Sequence, residues 1–198
     1  MIPFLGSNIA IRFIENLPSS EHLDRILSTS EPEQMLGAIY YSAISGTGSY
    51  DLRSIIFTDR EMIEVPLSKM SELAPKASAS SKAASWALVF TDANAFIGLQ
   101  GLLGMKRWGA LKKNLGDKPQ VGTEKSPLTS DMLNAAAVKL PYDKIKEVKL
   151  KKVMMSSDWY LSVSAGFLHS QNIVFDGRVA DQVKNLIMNT PLAAKLKS

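Results

Sequence analysis

The sequence contains no cysteine. Disulfides and thiolate metal sites are therefore excluded, and a secreted, disulfide-stapled class is not expected. Histidine is nearly as scarce, with only His22 and His169, far apart in the chain. Neither has a second histidine or a carboxylate at ligand spacing, so no zinc motif is present. No Gly-x-Ser-x-Gly elbow presents a nucleophilic serine. No P-loop or dinucleotide fingerprint occurs: Gly98, Gly101 and Gly104 recur every third residue, which suits a close helix crossing better than a phosphate. A triad assembled only in space is not visible in a sequence. With that exception the chain reads as a non-enzyme, without metal or cofactor.

Strong charge of either sign is also lacking. The chain has 23 basic and 19 acidic side chains, a net charge of +4. That balance permits nucleic acid or an anionic membrane as a partner but demands neither. The opening segment, MIPFLGSNIAIRFIENLP, has no basic residues ahead of its apolar ones, and Pro3, Asn8, Arg12 and Glu15 interrupt it. It does not read as a signal peptide, and the expected compartment is the cytoplasm. Internal repeats and low-complexity tracts are absent.

What is present is an ordinary globular composition: 198 residues, 45% hydrophobic and 21% charged. A chain of this size buries roughly 70% of its unfolded surface and needs no staples. Residues 8–30 look helical, in two pieces broken at Pro18, with Leu23, Ile26 and Leu27 at helical spacing in the second. Residues 35–44 (MLGAIYYSAI) read as a strand. Ser54–Phe57 and Met62–Val65 read as a hairpin around Thr58-Asp59-Arg60-Glu61, ended by Pro66.

From Pro66 to about residue 128 the alternation stops. Residues 67–84 are rich in Ser, Ala and Lys, 85–105 are apolar, and 114–128 read as a loop. Residues 130–137 read as a short helix capped by Thr129 or Ser130. Strands return at Tyr142–Lys152, Trp159–Val163 and Ile173–Phe175, followed by an Asp176-Gly177 turn. A last helix over 178–190 carries the stripe Val179, Val183, Leu186 and Ile187. The tail, 191–198, reads as frayed. Short strands joined by turns predict antiparallel pairing.

The segments LGAIYYSAI…LRSIIFTDREMIEV, LPYDKIKEVKLKK and WYLSVSAGFLHSQNIVF resemble the bacterial and archaeal pleckstrin-homology-like (PH-like) domains. The matching residues are Thr58, Asp59 and Arg60, then Pro141, Tyr142, Asp143, Lys144 and Ile145. The resemblance implies an α+β fold, a small antiparallel β-barrel of seven strands capped by a C-terminal helix, and binding rather than catalysis. It divides the chain into an N-terminal helical extension (1–34), a barrel with its closing helix (35–66 and 138–190), a helical and loop insertion (67–137) and a tail (191–198). Lipid-binding eukaryotic relatives present several basic residues on and after the first inter-strand loop. Here that loop, Gly46 to Arg53, has Arg53 alone.

Two features carry candidate binding chemistry. The apolar stretch 85–105 is long enough to cross a bilayer and is flanked by Trp86, Trp108, Lys106, Arg107, Lys112 and Lys113, yet it contains Asp92, Asn94 and Gln100. Three placements fit it: burial in the fold or an oligomer interface, peripheral membrane contact, or a span. On the first, Trp86, Phe90, Phe96, Ile97 and Trp108 form a partner surface.

The second feature is the lysine run Lys144, Lys146, Lys149, Lys151 and Lys152, an anion-binding surface or a solvated strand edge. Strand alternation places Lys144, Lys146 and Lys152 on one side and Lys149 and Lys151 on the other. The expectation is a binding or assembly module with a protein partner or self-association through the insert. The alternatives are a peripheral module on anionic lipid, and, more weakly, nucleic-acid binding through the lysines of 139–152.

Overall fold

A computed structural model describes residues 33–45, 50–78, 105–166 and 170–197. The N-terminal helices expected over 8–30 and the apolar stretch 85–104 lie outside the described residues. The described elements all belong to one unit, Glu33–Ser198. The architecture is mixed α+β: a large, mostly antiparallel open sheet with a C-terminal helix.

Strand β1 (Gln34–Ser45) pairs with β2 (Tyr50–Thr58), and β2 pairs with β3 (Glu61–Pro66). The β2–β3 turn is fixed by Thr58. Its hydroxyl accepts from the backbone N–H of Arg60 at 3.1 Å and of Glu61 at 2.9 Å, and donates to the Glu61 carbonyl. Helix α1 (Leu67–Ser78) and helix α2 (Met105–Leu115) follow, then the two-residue strands β4 (Val121–Gly122) and β5 (Ser126–Pro127).

Helix α3 (Ser130–Ala135) is capped by the Thr129 side chain, which accepts from Met132 N. Strand β6 (Val138–Pro141) pairs with β3. A 3₁₀ turn at Tyr142–Lys144 leads to β7 (Glu147–Lys152), β8 (Asp158–Ser164) and β9 (Ser170–Asp176), which pair in order. Helix α4 (Ala180–Met188), a 3₁₀ segment (Pro191–Lys195) and β10 (Leu196–Lys197) end the chain.

Strand order is β10-β7-β8-β9-β1-β2-β3-β6. Connectivity forces this sheet to curl. Between β6 and β7 lie six strand spacings, about 29 Å on a flat sheet. The link from Pro141 to Glu147 has six steps and reaches at most about 20 Å. The curl is visible inside the sheet, where Gln171 of β9 donates to Glu64 of β3, three strands away.

Two cores result. The inner one joins Ile55, Phe57, Met62, Val148, Leu161, Ile173 and Phe175 to Val183, Leu186 and Ile187 of α4. The outer one joins Ile56, Ile63, Val65 and Val174 to Leu67 and Met70 of α1, Trp108 and Leu111 of α2, and Met132 of α3. Strands covered on both faces lose the polar half of their alternation, and β1 is accordingly buried from Gly37 to Ala43. A bulge sets Tyr40 and Tyr41 opposite Ser54 alone, so both tyrosines reach the outer core.

Strands β4 and β5 pair with β1 at Ala38–Ile39 and Gln34–Met35, on the edge where β9 pairs only Ala43–Ser45. The crossing is tight. A Cβ on Gly122 would stand 2.0 Å from Tyr40 Oη, and one on Gly37 would stand 2.4 Å from the Gly122 carbonyl.

Residues 67–78 form a helix, in line with the helical insertion expected there, with Leu67, Met70 and Ala74 on one buried stripe. Several expectations are corrected. The loop read over 114–128 contains β4 and β5, two-residue pairings that only tertiary contact creates. Tyr142–Lys152 is not one strand: Tyr142 is in the 3₁₀ turn, and its hydroxyl donates to the Thr58 carbonyl at 2.9 Å. The tail is not frayed. The Thr190 side chain accepts from Leu192 N, Pro191 opens the 3₁₀ turn, Leu192 is fully buried, and β10 pairs parallel with β7.

Candidate functional site

Three polar features interrupt the cores. The first fastens the insert to the sheet. Asp158, at the start of β8, is 9% exposed. It accepts from Trp108 Nε1 at 3.2 Å, from Ser156 Oγ at 3.0 Å and from Lys112 Nζ at 2.5 Å. Lys112 Nζ also lies 5.8 Å from the Trp108 ring centroid. Directly across the ladder stands Asp176, paired with Arg178 at 3.0 Å. Burial pushes the Asp176 carboxyl up, but the Arg178 hydrogen bonds outweigh it and hold the group below its ordinary value.

The second feature lies inside the curled sheet, where β2 begins and β3 ends. Glu64 is 1% exposed, 3.5 Å from Arg53 Nη1, and accepts from Gln171. Arg53 also meets Asp51 at 3.3 Å. Desolvation raises the Glu64 pKa, against the Gln171 hydrogen bond and the Arg53 charge. A buried carboxylate with a raised pKa can hold or release a proton. Here its partners are the Gln171 amide and the Arg53 guanidinium.

The third is the tip of the β7–β8 hairpin. Val153 N donates to the Asp158 carbonyl at 2.9 Å, and Ser156 N to the Val153 carbonyl at 3.3 Å. Met154 and Met155 sit between them, 89% and 105% exposed. Met155 has φ 58°, a left-handed conformation that turn chemistry normally gives to Gly or Asn. A cleft of about 320 Å³ between β7, β8, α4 and β10 is lined by Leu150, Trp159, Ala180, Leu196, Asp181, Lys184 and Lys197.

The structure separates the lysines picked from the sequence. Lys144 and Lys146 precede β7; Lys144 sits 3.4 Å from Asp143. The expected grouping therefore loses Lys144 and Lys146, which lie outside the strand, while the separation of Lys149 and Lys151 from Lys152 follows the alternation of β7. Lys149 and Lys151 alternate with inward Val148, and Lys152 ends the strand opposite Trp159. Lys149 and Lys197 both pair with Glu147, which their hydrogen bonds hold down at about 2. Lys151 and Lys152 are exposed and carry no ion pair among the described residues.

On α2, Lys106 and Lys113 are exposed, Arg107 is half-buried, and Lys112 is committed to Asp158. Trp108 is 3% exposed, so it belongs to the outer core and offers no face to a partner. Trp86, Phe90, Phe96 and Ile97 lie outside the described residues. The sequence reading passed over Met154 and Met155, although two adjacent methionines between lysines and serines in a turn were a readable signal.

Among the described residues, no cluster of three or more His, Asp or Glu side chains is placed to hold a metal ion. Among them also, no helix is long and apolar enough to cross a membrane. No family model, no curated protein and no solved structure matches this chain.

Proposed function

We propose that the chain is a cytoplasmic, non-enzymatic binding module on a PH-like barrel. The observation that carries this reading is the strand order. Seven main strands divide at β1 into β2-β3-β6 and β9-β8-β7, and Val183, Leu186 and Ile187 of α4 pack against the inner core. This order supports reading the sheet as the bent, helix-capped barrel that the resemblance of the Thr58-Asp59-Arg60 and Pro141-Tyr142 segments implies.

The charged groups add support. Asp158 and Glu64 are both tied into contacts that hold elements together. The insert helices α1, α2 and α3 supply the outer core, so their apolar faces are used within the chain. A binding surface is then sought on what remains exposed, and the β7–β8 hairpin presents the largest apolar exposure among the described residues.

The test is a light-scattering mass across a concentration series, run beside sedimentation with phosphatidylcholine vesicles and with phosphatidylcholine–phosphatidylserine vesicles. A mass that rises with concentration, or protein that pellets with vesicles, supports a binding module. A constant monomer mass with no pelleting under any lipid condition refutes it.

A further inference from the structure

We infer that the β7–β8 hairpin is a membrane-docking tip, in which Met154 and Met155 enter an anionic bilayer and Lys151 and Lys152 meet its headgroups. This rests on the binding-module reading and names the partner.

Two independent observations meet at the tip. The first is exposure. Met154 and Met155 are 89% and 105% exposed, against 39% for Val138 and 54% for Met188, the other exposed large apolar residues described. The second is conformation. Met155 holds φ 58° at the third position of the Val153–Ser156 turn, where Gly or Asn avoids the steric cost. Turn chemistry and water both favour another residue there, and methionine satisfies neither. Its flexible thioether suits a disordered apolar medium.

The shape selects lipid over protein. A stable protein interface buries about 800 Å² on each partner. A hairpin tip offers two side chains on a convex point, while an interfacial anchor needs to reach only about 5–10 Å into the headgroup boundary.

The surrounding charge is complementary to an anionic surface. Lys151 and Lys152 end β7 just before the tip, both exposed and without an ion pair among the described residues. At the hairpin base Lys112 binds Asp158, Lys113 is exposed, and Arg178 is 58% exposed beside Asp176. The nearby acids Asp158 and Asp176 are both paired. Among the described residues, Asp117, which acts on Arg178, and Asp181, which lines the cleft, are exposed carboxylates. Lysines near an anionic bilayer act additively over about one Debye length.

The experiment is vesicle co-sedimentation of the whole chain, wild type and two double variants, with and without phosphatidylserine. One variant is Met154→Ser with Met155→Gly, chosen because glycine suits φ 58° and leaves the turn intact. The other is Lys151→Glu with Lys152→Glu. Wild type is expected to pellet with phosphatidylserine vesicles and to release as salt rises. Each double variant is expected to lose about tenfold or more in partitioning, at unchanged melting temperature.

Pelleting that survives the methionine variant overturns the tip while leaving the binding module standing. Wild type that ignores phosphatidylserine vesicles overturns the inference outright. Its mass series then decides the broader reading separately.

Discussion

Cutting the contact between Lys112 and Asp158 tests whether α2 is fastened to the sheet or merely rests on it. Asp158 accepts three hydrogen bonds, from Trp108, Ser156 and Lys112, at 9% exposure. A hydrogen bond to a charged group contributes about 1.5–3 kcal/mol when buried. Lys112 is 22% exposed and regains part of its hydration once released, which lowers the figure.

Asp158→Asn keeps the shape and leaves an oxygen for Trp108 and Ser156, so its expected cost is about 1–2 kcal/mol. Lys112→Met keeps the stem over the Trp108 ring and is expected to cost about 0.5–1.5 kcal/mol. The double variant should recover about 1 kcal/mol relative to the sum of the singles. Urea unfolding followed by tryptophan fluorescence measures all four corners of the cycle. A coupling below about 0.3 kcal/mol would refute the clamp and leave apolar packing as the sole attachment of α2.

Three further outcomes are expected. Leu192→Ala should cost about 2–4 kcal/mol in urea unfolding, because Leu192 is fully buried; a change under about 0.5 kcal/mol would mean the tail is not docked. Glu64 has a folded pKa above its ordinary 4.5, so its share of stability is complete below pH 4.5 and declines as pH rises through the raised value. Glu64→Gln should flatten that decline in urea midpoints measured against pH, and an unchanged slope would contradict it. Glu147 has the opposite sign, since its pKa is lowered to about 2: its contribution is present above pH 4.5 and lost on acidification toward 2, a loss that Glu147→Gln should remove from an acid titration of stability.

The parts of the fold legible in the sequence are those with local causes. Thr58-Asp59-Arg60-Glu61 specifies its turn through one hydroxyl, and the strands on either side follow it. The stripe Val179, Val183, Leu186 and Ile187 is periodic, and all four side chains are buried. Thr129 caps α3 as its position suggests.

What stayed hidden depends on distant partners. Nothing near Val121 or Ser126 announces a strand, because each pairs over two residues with β1, far back in the chain. The meeting of Lys112 with Asp158 and of Glu64 with Gln171 spans 46 and 107 residues, beyond any local pattern. The tail was a different case, since Thr190-Pro191 is a helix-start signal that polarity at the chain end obscured.

The pairing of β4 and β5 with β1 bears on how this chain tolerates editing. A segment that loops out of a sheet is ordinarily removable, leaving the sheet intact. Here the segment returns to occupy backbone donors and acceptors of Gln34–Ile39 that β9 does not reach. Excising it would leave that stretch of β1 as a bare apolar edge, available to the same edge of another molecule. Strand β1 and the segment that carries β4 and β5 are mutually dependent, and a trimmed version of this protein is expected to aggregate rather than to fold as a smaller sheet.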